Sequence, residues 1–162
     1  MAFQTWRTMK IGTPDLRDAN AFRTALKFAG CRIGDWASDM LNQPSFTVAE
    51  TESEIELVRT SVAELGFPNG DTRTDIYASA IGQDLELCPS EVGPRLRLEY
   101  KDQPSGEWLL IAMEPINALG RYLSVWDVTH VNDVLWISSY YGSHDIFLDA
   151  SFQLVFLRRK AA

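Results

Sequence analysis

The order in which two hydrophobic periodicities occur along this 162-residue chain is the feature that most constrains its fold. Helical stripes, with apolar residues three and four apart, dominate the first half, whereas alternating and short apolar segments fill the half after Leu85. Helices that precede strands, instead of alternating with them, are typical of an α+β domain. We therefore predict one globular domain over 1–162, in which an N-terminal helical hairpin and one further helix pack on a mostly antiparallel β meander.

The first two helices are predicted from apolar stripes and from their end signals. The sequence TPD at 13–15 starts a helix, because it combines a capping side chain, a proline suited to the first turn and an acid at the positive end of the helix dipole. Gly30 ends it. A second stripe runs from Ile33 to Leu41 and includes Trp36 and Met40, for which core packing is favoured over a ligand pocket because the stripe needs burial.

A third helix is predicted over 72–81, where Thr72 and Asp75 form an approximate capping box. The segment from Ile55 to Leu65 precedes it and fits both periodicities. Its β-branched residues favour a strand.

The β half is predicted from alternation and from apolar runs. Residues 96–100, LRLEY, alternate apolar and charged side chains, which indicates a strand with one buried face. Further strands are predicted at 108–113, 122–128, 135–141 and 152–157. Their short spacing favours an antiparallel meander.

Composition narrows the class of protein. The chain is 46% hydrophobic and 23% charged, which are values of folded globular domains and not of disordered chains. Its net charge of −7 repels phosphate backbones, so we predict no nucleic-acid partner. No segment approaches the roughly 20 apolar residues of a membrane span, and the N-terminus lacks a signal-peptide core, so we predict a cytoplasmic protein without a membrane partner.

The sequence contains no recognisable metal or cofactor motif. Cys31, Cys88, His130 and His144 lack the spacing of metal ligands, and the glycines form neither a dinucleotide-binding nor a phosphate-binding loop. We predict no metal, no cofactor and two reduced, buried thiols.

One weak catalytic hypothesis involves Cys88, His144 and Asp145. These residues would supply a thiolate, its base and a group that orients the base. No sequence motif of a known thiol enzyme surrounds them, and polar surface loops explain the histidine and aspartate more simply.

Arg95, Arg97 and Glu107 are candidate ligand-binding residues. On a strand, Arg95 and Arg97 would project to the same side and form a fork for a carboxylate or phosphate. The favoured alternative is an ion pair with acids on a neighbouring strand.

Tyr140 and Tyr141 are candidate partner-binding residues. Adjacent residues on a strand point to opposite faces, so one of the two rings must point away from the core. Tyr and Trp are enriched at the centres of protein interfaces, which favours a binding surface here.

A long tract also resembles a known group of sequences. DIYASAIGQDLELCPSEVGPRLRLEYKDQPSGEWLLIAMEPI, with the later VLWISSYYG and FQLVFLRRK, is similar to small uncharacterised bacterial proteins that share the pattern ELCPxEVGPxLRLxYxxQPxGEW. The similarity covers roughly residues 55–160. It implies a self-standing bacterial domain, and it implies no reaction, cofactor or site.

Two functional hypotheses follow. The favoured one is a small acidic cytosolic binding or protein-interaction domain, of which an antitoxin-like partner that covers a basic site would be one form. The alternative is a hydrolase or transferase that uses Cys88 or a carboxylate together with His144. The lack of catalytic spacing favours the binding domain.

Overall fold

The computed structural model describes residues 3–160, and in that range four helices accompany a nine-stranded mixed sheet and a separate two-stranded sheet. The helices are α1 (Ala19–Phe28), α2 (Asp35–Asn42), α3 (Arg73–Gly82) and α4 (Val92–Glu99). The strands are β1 (Arg7–Ile11), β2 (Arg32–Ile33), β3 (Ser53–Ser61), β4 (Asp71–Thr72), β5 (Leu85–Glu86), β6 (Trp108–Ile111), β7 (Ile116–Ala118), β8 (Tyr122–Val131), β9 (Val134–Tyr141), β10 (Phe147–Leu148) and β11 (Gln153–Arg158).

The main sheet has the strand order β1-β3-β11-β6-β8-β9-β2, with β5 added beside β11 and β7 beside β8. Most neighbours are antiparallel, but β11 runs parallel to β6 and β2 runs parallel to β9. The α+β class is thus confirmed. The predicted simple meander is wrong, because the last strand lies between β3 and β6 instead of following β9 at the edge.

Two hydrophobic clusters cover opposite faces of this sheet. Alternation along β3 and β11 directs Leu57 and Val155 to one cluster and Val58 and Phe156 to the other. The first cluster lies beneath α1, α2 and α4, and the second beneath α3. Each face of the central strands is therefore buried.

The predicted helices are present, with altered ends. Helix α1 begins at Ala19, where the Asp18 side chain accepts a hydrogen bond from the amide of Ala21, and the TPD sequence lies in the preceding turn. Strand β2 separates α1 from α2, so the structure does not confirm a simple hairpin. Helix α3 begins after Thr72, whose side chain accepts from the amide of Asp75 as the capping prediction requires.

The strand predicted at 96–100 is wrong, because these residues belong to α4 and to the residue that follows it. Helix α4 is buried on nearly every side, so its sequence lacks the stripe of a helix with one exposed face. Gly93 shows how closely it is packed: a Cβ there would lie 2.3 Å from ring atoms of Trp126. Pro94 lies in the first turn, where its missing N–H is not needed.

The ambiguous segment after Ile55 is a strand, as favoured. β3 covers Ser53–Ser61 and leads into a 3-10 turn at Ala63–Leu65, which accounts for the mixed periodicity. The edge strand β1 was not predicted. Of the helices in the described part of the chain, none is long and apolar enough to cross a membrane.

Candidate binding site

A cavity of about 350 Å³ lies where α2, the start of β8 and the end of β9 meet. We call it the aromatic cavity. Its lining consists of aromatic rings and small hydroxyl side chains: Trp36, Tyr122, Ser124, Ser139, Tyr140 and Tyr141.

The strand ladder determines which side chains face this cavity. Ser124 of β8 pairs directly with Tyr141 of β9, and Ser139 stands two residues before Tyr141 on the same face. The small serines leave the space that the larger rings surround. On β8, alternation also places Tyr122 on the same side as Ser124.

Trp36 completes the aromatic cavity from α2. Its ring lies edge-on to that of Tyr122, with centroids 4.5 Å apart, and it remains 39% exposed. The expectation that Trp36 packs in the core is therefore wrong, whereas Met40 is fully buried as expected. Trp36 lies in the first turn of α2, and Met40, one turn later, anchors the helix.

Tyr140 and Tyr141 both line the aromatic cavity, and their ring centroids are 5.6 Å apart. Tyr141 is well exposed. Tyr140 packs more deeply, because its ring also contacts those of Trp108 and Phe152 at centroid distances of 5.9 and 5.8 Å. The pair that the sequence singled out therefore lies at one concave surface. For Trp36 a ligand pocket was the less favoured alternative, and the two serines were not predicted at all, because only the ladder and α2 bring these residues together.

A second feature, the Asp127 site, adjoins Tyr140. Asp127 of β8 pairs with Leu110 of β6 and with Ser138 of β9, so its side chain points to the same face as theirs. Burial raises the pKa of its carboxyl to about 7. Within residues 3–160 its buried Oδ1 has no hydrogen-bond partner.

Arg95 is not available as a ligand fork. Its Nε donates to Oε2 of Glu91 at 2.7 Å, and both side chains are buried. The Glu91 carboxylate also accepts from the backbone amides of Gly12 and Ala49. The pair therefore fixes α4 to two loops, within one helix and not across strands as the ion-pair alternative proposed.

Arg97 is fully buried and faces a different direction from Arg95. Its Nη1 donates to Gln103 and to the carbonyl oxygens of Thr129 and Trp136, and its Nη2 donates to the carbonyl of Tyr100 at 2.5 Å. Burial lowers the pKa of its guanidinium. These bonds join the end of α4 to the β8–β9 hairpin, so the role is structural.

Glu107 is also held by neighbours in the fold. Its carboxylate accepts from Nη2 of Arg59 at 2.9 Å and from the hydroxyl of Tyr100 at 2.8 Å. The three predicted residues Arg95, Arg97 and Glu107 thus belong to internal networks and do not line the aromatic cavity.

Cys88, His144 and Asp145 do not form a hydrogen-bonded triad in the part of the chain that the structure describes. The buried Cys88 thiol donates to the carbonyl of Val155, and burial raises its pKa far above the ordinary value. Nδ1 of His144 lies 3.0 Å from Nη1 of Arg73. Because a guanidinium can only donate, Nδ1 of His144 is the acceptor in this contact, which directs the ring to Arg73 and not to Cys88.

Over residues 3–160, no group of three or more His, Cys, Asp or Glu side chains is placed to hold a metal ion. Comparison with known proteins likewise supplies no relative. No protein-family model matches the chain, and no curated protein or solved structure shows a significant match to it.

Proposed function

We propose that this protein is a small acidic binding domain that holds a partner protein at the aromatic cavity. The observation that carries the proposal is the convergence of partly exposed rings from three separate segments. Trp36, Tyr122 and Tyr141 are 39%, 43% and 64% exposed and surround one concave surface. Large aromatic side chains at such a surface gain from being covered, and they dominate binding energy in protein interfaces.

The chemistry of the lining favours binding over catalysis. It offers hydroxyl groups and aromatic rings, but a serine hydroxyl needs an adjacent general base to become a nucleophile, and the lining residues include no carboxylate, imidazole or amine. The buried, protonated Cys88 is a poor nucleophile, since the thiolate is the reactive form. We therefore place the hydrolase or transferase hypothesis second.

The charge of the chain indicates the kind of partner. At −7 it attracts basic surfaces and accelerates their association, so we propose a partner with a basic contact surface. The sequence pattern from Glu86 to Trp108 supports a further proposal, that this is a cytoplasmic member of the small bacterial family it resembles.

The test replaces rings of the aromatic cavity and compares partner recovery. Trp36→Ala and Tyr141→Ala should each weaken the affinity for the purified partner by about tenfold or more, which is typical of aromatic residues at an interface centre. Phe28→Ala is the matched control, because Phe28 is 94% exposed on α1 and lies outside the cavity.

The experiment has three steps. The wild-type protein first captures a partner from a lysate, the partner is then identified, and the purified pair is finally titrated. Thermal melting of each variant verifies that it is folded. Failure to recover any partner, or equal affinity of wild type and both cavity variants, would contradict the proposal.

A further inference from the structure

Trp108 and Tyr140 converge above the strand that separates them. They lie on β6 and β9, on either side of β8, and neighbouring strands are about 4.8 Å apart. Trp108 pairs with Thr129, and Tyr140 pairs with Val125, so the line between the two residues crosses β8 at Asp127. Their ring centroids are nonetheless only 5.9 Å apart. The two rings therefore meet over the Asp127 carboxyl.

Phe152 packs against the same two rings, and we call Trp108, Tyr140 and Phe152 together the roof of the Asp127 site. Its ring centroid lies 4.8 Å from that of Trp108 and 5.8 Å from that of Tyr140. Asp127 and these three aromatic residues are each only partly buried, so the site lies at the edge of the core and not within it.

The carboxyl under this roof lacks the partners that a buried acid normally has. Its Oδ1 is inaccessible to solvent and unpaired within the described chain, and the ladder places Leu110 and Ser138 beside it. An unpaired buried polar group costs free energy, and a carboxylate costs more than a neutral group. A group that supplied donors and positive charge would remove that cost.

We propose that Asp127, Trp108, Tyr140 and Phe152 form a receptor for a cationic side chain, a lysine or arginine presented by the partner protein. The proposal rests on the binding function above. A cation satisfies both parts of the site at once, because the carboxylate accepts its N–H groups and the aromatic faces attract its charge. An anion is repelled by both, and a neutral donor gains less from the ring faces because it lacks the charge that the ring quadrupole attracts.

The surroundings leave this position open to an external cation. The strand pairing places the basic residue Arg32 on this face. Its guanidinium lies over the ring of Trp136, 5.8 Å from the centroid, and makes no ion pair with Asp127 in residues 3–160. A further titratable group against the site is the Tyr140 hydroxyl, whose pKa is raised by burial and also by the charges of Tyr141 and Asp127.

The protonation state of Asp127 gives the proposal a specific signature. With a pKa of about 7, the carboxyl is mostly protonated near pH 6 and mostly ionised near pH 8. A cation binds the ionised form, so its affinity should rise by up to roughly tenfold over this range, with release of a proton. Tyr140 belongs to both sites, since it also lines the aromatic cavity, although alternation along β8 directs Ser124 and Asp127 to opposite faces of the sheet.

The test uses N-acetyl-arginine amide as the probe and N-acetyl-citrulline amide as its neutral match. Tryptophan fluorescence of the 162-residue protein, to which Trp108 contributes as one of five tryptophans, is titrated with each compound near pH 6 and near pH 8. We expect saturable binding of the arginine compound alone, tighter at the higher pH. Equal responses to both compounds, no saturable response, or an affinity independent of pH would overturn the proposal.

Two variants that each remove one negative charge show whether the arginine compound binds at Asp127. Asp127→Asn should abolish binding of the arginine compound, whereas Asp133→Asn, in the exposed turn between β8 and β9, should retain it. Retained binding by Asp127→Asn would also overturn the proposal. The two proposals can fail separately. If Trp36→Ala loses the partner but the wild-type protein does not bind the arginine compound, the binding function stays in place and only the cation site is removed.

Discussion

Two regions on opposite faces of the sheet use their charged groups in opposite ways. At α4, the Glu91 carboxylate accepts hydrogen bonds from Arg95 and from two backbone amides, so its charge is already paired within the fold. At the Asp127 site, a partly buried carboxyl has an oxygen without any partner in the described residues. Charge in a sequence therefore does not identify a binding residue; what matters is whether the fold has already satisfied it.

The largest expected effect is at Glu91. Glu91→Ala should lower the free energy of unfolding by about 3–5 kcal/mol, because it leaves Arg95 charged and buried and two amides unpaired. Urea unfolding measures the change. The control is Glu52→Ala, which removes an exposed ion pair with Lys10 and should cost about 1 kcal/mol or less. Similar losses in both variants would show that the α4 network is not the internal support we describe.

In contrast to Glu91→Ala, Asp127→Asn should raise the free energy of unfolding relative to wild type, and it should do so only at high pH. The folded-state pKa of about 7 lies above the ordinary 3.8, so the contribution of Asp127 to stability is complete below about pH 4 and is lost as pH rises through about 7. Relative to wild type, the variant should therefore gain about 2–4 kcal/mol between pH 5 and pH 8. Urea unfolding at both values tests this. A wild-type protein whose stability follows that of the variant across this range would show that Asp127 is already paired.

Gly93→Ala tests how closely α4 is packed. The new methyl group would meet the Trp126 ring at 2.3 Å, and we expect a loss of about 1–3 kcal/mol even though alanine favours helices. Gly82→Ala, in α3, is the control, because a Cβ there meets nothing within 4 Å. A gain of stability in both variants would mean that α4 is free to move away from β8.

Tyr141→Ala should have the smallest effect on stability. Its side chain is 64% exposed, so the change in unfolding free energy should stay within about 0.5 kcal/mol while partner affinity falls. Thermal melting and the binding titration together separate the two effects. A large drop in melting temperature would instead make Tyr141 a structural residue.

Sequence patterns correctly identified several helices and strands but missed helix α4. Helix α3 has distinct buried and exposed faces, so its periodicity is visible in the sequence. Strands β8 and β9 were found from their apolar and aromatic segments instead, and the adjacency of Tyr140 and Tyr141 correctly placed one ring outside the core. Helix α4 was missed because burial on nearly all sides removes that periodicity.

The features that the sequence did not predict depend on contacts between distant parts of the chain. The position of β11 between β3 and β6 follows from long-range pairing that no local pattern encodes. The Asp127 site was likewise invisible, since Trp108 and Tyr140 meet over Asp127 only when three strands are in register. Whether a carboxyl lacks partners is a property of the folded surroundings.

The central position of β11 has a consequence for how the protein is made. Residues 153–158 join the part of the sheet that contains β1 and β3 to the part that contains β6, β8 and β9. During synthesis these two parts cannot unite until that late segment has emerged from the ribosome, and pairing between such distant segments is slow. The nascent chain therefore exposes two unpaired inner strand edges until then, which makes this interval the step at which chaperones or aggregation would compete with folding.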